Sequence, residues 1–280
     1  MPNSFTATFP DIFSKTLLQN FDKASVMGQL VSRDYEGDIK NAGDVVNAVL
    51  FGNVTVSDYT PGTDVAVQSL SLSQNALQID QKKAFNAIID LVEISQSHLD
   101  LVNGWMKRAS VALGEAVDDR LLAHYADVAT GNTIGTNAVP ITLTSANVYD
   151  NFVEAGRLLD AAGIPQDERY AVIDSETKAL LLKSPSYVRA TNFGDSIVQS
   201  GSIGTIAGFE VRMTPRIPIV SSVKNLMFMH RSYISLAFQI PTDHIQTYVP
   251  EKQFRTGIKG LALYGSKVFQ NTAAVVLKKV

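Results

Sequence analysis

The interval between Pro61 and Pro140 contains no proline, and its apolar side chains recur first with the period of a β-strand and then with the period of a helix. The helical part determines how long the main helix of the chain can be. No proline lies between Pro61 and Pro140, so no residue in that interval forces a helix to break. From about residue 90 to residue 129, apolar and small side chains recur at spacings of three and four, which is typical of a helix. We predict a helix from about 94 to 128, ended by "TGNTIG". At ~1.5 Å per residue it would be ~50 Å long, which is long for a compact domain.

The preceding residues, 49–80, show the period of a β-strand instead. "VLFGNVTVSDY" and "DVAVQSLSLSQNALQID" alternate apolar and polar side chains, and "TPGT" separates them. Pro61 fixes its own φ and Gly62 supplies a positive φ, which together predict a type II turn. A long hairpin this rich in Ser, Thr and Gln is not stable alone in water. It therefore needs another surface to lie against.

The first 48 residues have two interpretations. "FPDIFSKTLLQNFDKASV" carries a short amphipathic pattern, and the "SRDYEGDIKNAGD" after it is polar and rich in turn formers. One interpretation is an ordinary first helix that packs on its own domain. The other is an arm that reaches over a neighbouring subunit, where its Phe side chains become buried.

The C-terminal half mixes helices with short strands, which indicates an α+β fold. "LTSANVYDNFVEAGRLLDAAGIP" predicts a helix capped by Thr144 or Ser145. "ERYAVID" predicts a strand, and "ETKALLLKS" predicts a helix capped by Asp174 or Ser175. "NLMFMHRSYISLAFQIP" and "AAVVLKK" predict further strands, whereas "TGIKGLALYGSKVFQ" fits either a strand or a short helix.

Composition narrows the class of protein. The chain has 280 residues, of which 45% are hydrophobic, and this is ample for a sizeable core. Its net charge of −3 provides no global cationic field for nucleic-acid binding. Because cysteine is absent, disulfides, thiol nucleophiles and thiolate metal sites are excluded. With neither a signal-peptide pattern nor an apolar run of membrane-spanning length, we expect a soluble protein made in a cytoplasm.

The glycine-rich segment "GSIGTIAGFEVRMTPRIPIV" at 201–220 does not fit a nucleotide site. The dinucleotide fingerprint needs G-x-G-x-x-G between a strand and a helix. Here Gly201, Gly204 and Gly208 are spaced three and four apart, and a strand-like segment with two prolines follows. No Gly-Lys-Ser/Thr occurs anywhere in the chain. We predict instead that Gly204 and Gly208 are turn positions in a hairpin.

The sequence contains no pattern that assigns a catalytic or metal-binding residue. We predict a structural or surface role for each of the four scattered histidines: His98, His124, His230 and His244. Glu115, Asp118 and Asp119 lie at helical spacings beside arginines, which predicts a solvated or subunit-contacting charged face rather than an acid/base pair. The nucleophile elbow G-x-S-x-G is absent, but a triad of distant residues is invisible in one sequence. We predict no catalytic residue, cofactor or metal, and a protein that is not an enzyme.

The order of these parts resembles the major capsid proteins of tailed bacteriophages, which share the Hong-Kong-97 fold. The resemblance covers essentially the whole chain. It rests on the hairpin, on the spine-like "DLVEISQSHLDLVNGWMKRASVALGEAVDDRLLAHYA", on "RYAVID" with "SETKALLLK", and on "GSIGTIAGFEVRMTPRIP". "MHRSYISLAFQIP" and "YGSKVFQNTAAVVLKK" close the series. The most specific piece is the Gly-Phe-x-Val hairpin with its trailing prolines, followed by "YG" and a terminal strand.

The resemblance implies an α+β, Hong-Kong-97-like capsid fold in five parts. These are an N-terminal arm (1–48), an E-loop hairpin (49–88), a peripheral P-domain with the spine helix (89–187), an axial A-domain (188–244), and a return to the P-domain (245–280). It also implies self-assembly into hexamers and pentamers of an icosahedral head that encloses double-stranded DNA and contacts it non-specifically. A scaffolding protein, a portal and, in some relatives, a decoration protein are the implied partners. The implied location is the virion, after assembly in the host cytoplasm.

Residues for inter-subunit contact follow from this resemblance. In the arm and at the hairpin tip they are Phe5, Phe9, Ile12, Phe13, Tyr59, Pro61 and Gly62. In the A-domain, Gly204 and Gly208 are the expected turn positions. Two alternatives from other classes remain at this point: an encapsulin-like bacterial nanocompartment shell that encloses cargo enzymes, and a stand-alone enzyme whose triad comes from distant residues.

Overall fold

The computed structural model describes residues 25–34, 45–51, 56, 58, 72–90, 101–185, 204–239, 245–249 and 255–280. These residues form three sheets and three α-helices, together with short 3-10 turns. The helices are α1 (Leu101–Leu122), α2 (Val148–Ala161) and α3 (Ser175–Leu182). The strands are β1 (Val45–Phe51), β2 (Leu72–Gln78), β3 (Gln81–Asp90), β4 (Thr133–Ile134), β5 (Arg169–Ile173), β6 (Thr205–Ile206), β7 (Phe209–Met213), β8 (Ile219–Val220), β9 (Val223–His230), β10 (Ile234–Gln239), β11 (Ile245–Tyr248), β12 (Arg255–Val268) and β13 (Ala274–Lys279).

The largest sheet has seven strands in the order β4-β13-β9-β5-β7-β6, with β8 paired to β9. Its centre is apolar on both faces: β9 and β13 are buried along almost their whole length, as expected for strands covered on two sides. Helix α2 buries one stripe, from Val148 through Phe152 to Leu159, at the three- and four-residue spacing of a helix. The Phe152 ring meets the Phe228 ring of β9 edge to face, with 4.8 Å between centroids. The sheet and α2 thus share one core.

A second sheet is built around the long strand β12. Strand β3 pairs along one edge of β12, while β11 and β10 follow one another along the other edge. Helix α1 lies against this sheet, since Trp105 contacts Phe85 of β3 with 5.5 Å between ring centroids. Tyr264 of β12 donates a hydrogen bond to the carbonyl oxygen of Ala116 at 3.4 Å. The helix and the long strand therefore form a second layered unit.

Three glycines let other groups lie directly on β12. Gly257 is paired with Tyr248, and Gly260 is paired with Phe85. A methyl group added at either glycine would lie within 2.4 Å or 2.2 Å of the paired aromatic ring. At Gly265 it would lie 2.1 Å from the backbone oxygen of Gln78. The glycines of "TGIKGLALYG" thus make room for close approach, which is a known use of glycine inside strands.

Strands β1 and β2 are antiparallel, with Phe51 opposite Leu72 and Val45 opposite Gln78. The two arms of the predicted hairpin are confirmed where they are described. The first arm begins at 45, within the segment assigned to the N-terminal arm, rather than at 49. Most of the predicted hairpin tip lies outside the described residues.

The predicted long helix is confirmed over Leu101–Leu122, and a 3-10 turn continues it from Ala123 to Asp127. Its predicted start at 94 lies outside the described residues. The segment that fitted either a strand or a helix is a strand, β12. Strand β3 was not predicted, and it crosses the predicted junction between hairpin and helix at 88/89.

One of the two predicted helix caps is confirmed, and the other is not. Asp174 accepts a hydrogen bond from the backbone N–H of Thr177 at 3.0 Å and so caps α3 as predicted. Before α2, Thr144 and Asn147 bond reciprocally: the Thr144 N–H donates to Asn147 Oδ1 at 2.8 Å, and the Asn147 N–H donates to Thr144 Oγ1 at 3.4 Å. The predicted cap of α2 at Thr144 or Ser145 is therefore wrong: Thr144 closes the turn before the helix, the N-cap position is Asn147, and the helix begins at Val148.

The sheets do not divide at the boundaries expected for the domains. The seven-stranded sheet takes strands from the segments expected as P-domain, A-domain and return. Strand β10, in the expected A-domain, pairs with β12 in the return segment. Which strands share a sheet depends on pairing between distant segments, and the order of the parts along the chain does not show that pairing.

Candidate functional site

Most of the residues expected at subunit contacts lie outside the described part of the chain, so their roles stay predictions. They are Phe5, Phe9, Ile12, Phe13, Tyr59, Pro61 and Gly62. Beside the expected hairpin tip, the side chain of Val56 is described and is 91% exposed. A valine this uncovered in the single chain is available to a neighbouring surface.

The two expected turn glycines differ in what they do. Gly208 has φ +83° and follows Ala207 with φ +48°, so the pair forms the two-residue turn between β6 and β7. Gly204 lies just before β6, and its carbonyl oxygen accepts a hydrogen bond from the Val211 N–H at 3.3 Å. Its φ is not in the left-handed region, and a methyl group there would meet no atom within 4 Å. Only Gly208 occupies a position where the turn favours glycine.

The turn between β8 and β9 is a feature that sequence reasoning missed. Ser221 and Ser222 have φ values of +51° and +67°, which is uncommon for residues other than glycine. They hold a two-residue hairpin turn next to Ile219, which is 62% exposed, and Val220. The short "IVSSV" pattern of apolar residues around two serines is the only local signal for it. This strained, partly apolar tip is a candidate contact surface.

The prediction that Asp118 belongs to a solvated or subunit-contacting charged face of α1 is wrong, because its side chain is buried and only 3% exposed. Its carboxylate accepts hydrogen bonds from Ser25 Oγ at 2.6 Å, from the Val26 N–H at 2.9 Å and from the Met27 N–H at 3.0 Å. Burial raises the pKa of Asp118 above its ordinary value, and these hydrogen bonds act in the opposite direction. Asp118 thus fixes the chain at residues 25–28 to the side of α1.

This anchor limits how much of residues 1–48 can act as an arm. Met27, Leu30 and Val31 are buried in the core of their own chain. The Leu236 N–H of β10 donates to the carbonyl oxygen of Ser32 at 2.9 Å. Residues 25–34 therefore follow the other interpretation, packing on their own subunit, because their apolar side chains find cover there.

Glu115 and Asp119, the other two carboxylates of the predicted face, bind Arg216 in the connection between β7 and β8. The Arg216 Nε–H donates to Asp119 Oδ1 at 2.6 Å, and a second guanidinium nitrogen pairs with the other carboxylate oxygen of Asp119. A third contact joins Arg216 to Glu115 at 3.1 Å. These side chains are about one-third to one-half exposed, so the cluster adds at most about 1 kcal/mol and mainly fixes position.

A buried lysine joins the last strand to the start of α3. Lys279 is 1% exposed, and its Nζ lies 3.0 Å from both Asp174 Oδ2 and Glu176 Oε2. Lys224 of β9 reaches the same two carboxylates at 2.9 Å and 2.8 Å. The Thr177 and lysine hydrogen bonds outweigh burial and hold the pKa of Asp174 far below its ordinary value. Lys279 of the "LKK" ending thus has a structural role, and we call these two lysines and two carboxylates the clasp.

Two histidines are described, and both bond within the chain. His124 contacts Asp127 and Ser266, while His230 contacts Ser232 through Nδ1 at 2.8 Å. His98 and His244 lie outside the described residues. The described residues include no group of three or more histidine, aspartate or glutamate side chains placed to hold a metal ion. In the same part of the chain, no helix is both long and apolar enough to cross a membrane.

Comparison with solved structures supports a capsid fold. The chain is similar to a structure from Mycobacterium phage Che8, with 22% identity, a TM-score of 0.73 and coverage of 90% of each chain. It is similar to the capsid structure of cyanophage P-SCSP1u, with 15% identity, a TM-score of 0.74 and coverage of 92% of this chain and 88% of that one. The capsid of Ralstonia phage GP4 matches at 11% identity and a TM-score of 0.62, over 89% of this chain and 87% of that one.

No curated protein sequence matches the chain. The model of one protein family does match, over residues 74–276, and that family is described as phage capsid protein. The matched range includes all three α-helices and every strand from β3 to β12. The expected mixed fold of helices and sheets is therefore confirmed at the level of a phage capsid fold. The chain belongs to the phage capsid protein family, as the tailed-phage resemblance of its sequence predicted.

Proposed function

We propose that this phage capsid protein is the major subunit of an icosahedral head, and that it assembles as hexamers and pentamers around double-stranded DNA. The observation that carries this proposal is the match to phage capsid structures over about nine-tenths of both chains. Such a match leaves little of the chain for a separate domain. The nanocompartment alternative is not favoured, because the neighbouring structures come from phages.

The sheets of the described residues divide the subunit into two parts, to which we give different roles in the shell. We assign α1, β3, β10, β11 and β12 to the peripheral part, and the seven-stranded sheet with α2 and α3 to the axial part. This amends the expected boundaries by following the hydrogen-bonded sheets. The pairs β1–β2 and the hairpin tip beyond them then form the E-loop, and α1 forms the spine helix.

Three segments supply the proposed contacts between subunits. The residues before 25 form the arm, since the anchor at Asp118 fixes residues 25–28 to α1. The second segment is the hairpin tip around Tyr59, and the third is the β8–β9 turn with its exposed Ile219. Each interface contributes little by itself, but the shell repeats it many times.

The other proposed partners follow from the same role. A scaffolding protein and a portal take part in assembly in the host cytoplasm, and a decoration protein binds the finished shell. Contact with packaged DNA is non-specific. A net charge of −3 suits this role, since a strongly cationic lining would hold the DNA tightly and hinder its release.

Deleting residues 1–20 tests the proposed arm. We expect subunits that are folded and soluble but assemble poorly, because the described core begins after the deleted segment. A finer variant replaces Phe5, Phe9 and Phe13 with serine, and its matched control replaces Thr6 and Thr8 with serine. Shell yield is measured by sedimentation and electron microscopy. Normal shells from the deletion or the phenylalanine variant would contradict the arm, and so would equal losses in the control.

A further inference from the structure

Three side chains from two distant segments are arranged as a nucleophile, a base and an orienting carboxylate. His124 Nε2 lies 2.8 Å from Ser266 Oγ, and His124 Nδ1 lies 2.6 Å from Asp127 Oδ2. Ser266 belongs to β12, while His124 and Asp127 lie in the 3-10 turn after α1. Serine, histidine and carboxylate in this order form the constellation used for acyl transfer on several unrelated folds.

The contacts fix which ring nitrogen of His124 carries the proton. An ionised carboxylate only accepts hydrogen bonds, so the proton of a neutral imidazole lies on Nδ1, facing Asp127. Nε2 then has a free lone pair and accepts the hydrogen bond from Ser266 Oγ. The Tyr233 hydroxyl donates to the backbone oxygen of His124 and holds this turn in place. The serine is thus oriented to give its proton to His124.

The same three side chains line a cavity of about 500 Å³. Arg120, Lys267 and Asn271 also line it, so its wall is polar and carries two cationic groups. Arg120 is the cationic group nearest in sequence to His124, and its Nη2 atom also lies 3.6 Å from Asp80 Oδ2. A cationic group at the wall of a cavity stabilises an anion that forms there. The cavity therefore combines a nucleophile, its base and cationic side chains that can stabilise an oxyanion.

We infer that Ser266 is an activated nucleophile and that the cavity accepts small acyl esters with a polar or anionic substituent. Ser266 Oγ bonds to the ester carbonyl carbon while its proton moves to His124 Nε2, and the carbonyl oxygen becomes an anion facing Arg120. The bond to the leaving alcohol then breaks, and that alcohol takes the proton from Nε2. A water oxygen then bonds to the acyl carbon while one water proton moves to His124 Nε2. The bond from the acyl carbon to Ser266 Oγ breaks, the acid leaves, and Oγ takes the proton back from Nε2. Asp127 stays ionised throughout and orients the ring.

A fluorophosphonate probe tests the nucleophile on the full-length protein. Ser266 Oγ bonds to phosphorus, fluoride leaves, and the serine proton passes to His124. We expect peptide mapping to find the label on Ser266 and to find none there in S266A. D127N removes the orienting carboxylate at an exposed position, so it should slow labelling at least about tenfold with an unchanged unfolding midpoint.

The chain offers a matched control in Ser232. Its Oγ contacts His230 Nδ1 at 2.8 Å, but no carboxylate is among the described hydrogen-bond partners of that histidine. The S232A variant should therefore label like the wild type. Ester hydrolysis itself is tested with p-nitrophenyl acetate, and its rate should fall at least about tenfold in S266A and not in S232A. A purely structural role for His124 predicts no label on Ser266. That result, or equal labelling of the wild type and D127N, or equal hydrolysis by S266A and S232A, would overturn the inference.

Discussion

Asp174 joins three parts of the chain through one carboxylate. It caps α3 and pairs with lysines of β9 and β13. Its depressed pKa means that the folded protein favours the ionised form. The stability it contributes is therefore fully present above its ordinary pKa of about 3.9, and it is lost as the pH falls below that value towards the folded-state pKa.

Asp174→Asn tests this clasp. We expect a loss of about 2 kcal/mol of unfolding free energy at about pH 7, because buried Lys279 loses one of its two carboxylate partners. The difference in unfolding free energy between the variant and the wild type should narrow between about pH 4 and about pH 2, because protonation of Asp174 in the wild type removes the stabilising charge. Urea unfolding at each pH measures it. The exposed control Asp167→Asn should stay close to the wild type, and a pH-independent difference for Asp174→Asn would contradict the clasp.

The sequence showed the Asp174 cap but not the role of Asp118. An aspartate between a strand and a helical pattern is a local signal, and local signals are readable. Asp118 is buried because residues 25–28 pack on it from about 90 positions away. Nothing within the helix distinguishes it from its exposed neighbour Asp119. The same limit hid Ser266 and His124, which lie 142 positions apart.

At the scale of elements, β12 needs glycine where a neighbouring ring or backbone leaves no room for a side chain. Gly265→Ala should cost about 2 kcal/mol or more, because its methyl group would meet the Gln78 backbone, which has no rotamer to change. Gly131→Ala is the matched control: it has open space and an ordinary φ, and its effect should stay within about 0.5 kcal/mol. Urea midpoints of the two variants measure the difference. Equal stability would show that the contact at Gly265 relaxes freely.

The hairpin tip gives a second element-scale prediction. Replacing residues 57–64 with a two-residue turn should leave the described fold intact, since the replaced residues lie between β1 and β2 and outside both strands. Assembled shells should become less stable to heat, because the replaced residues are the proposed contact with a neighbour. Light scattering of shells measures this, and the unfolding midpoint of free subunits is the control. Shells of unaltered stability would count against the E-loop role.

Elements whose own apolar residues recur at a regular spacing were predictable from the sequence. Strands that form only because they pair with a distant strand were not. Helix α1 has a long apolar stripe, and the described part follows it. Strand β3, "QKKAFNAIID", has no clear alternation and is a strand because it pairs with β12 at ten positions, from Gln81 to Asp90. "TGIKGLALYGSKVFQ" was ambiguous because its glycines favour neither state, and its neighbours on both edges decide it.

At the scale of the molecule, distant segments interleave in every sheet that carries the core. The last strand, β13, lies between β4 and β9, and β12 unites strands from the first and last thirds of the chain. The order of the parts along the sequence was enough to suggest the capsid family, which the family match over 74–276 shows. Which strands share a sheet was not readable, because some of the pairing spans more than 100 positions.

Electron microscopy of the full-length protein, purified with its assembly partners, tests the central proposal most directly. We predict closed icosahedral shells whose surface resolves into hexamers and pentamers, with the axial part of each subunit nearest the capsomer axis. Under the same assembly conditions, a protein that never forms a species larger than a dimer would contradict it.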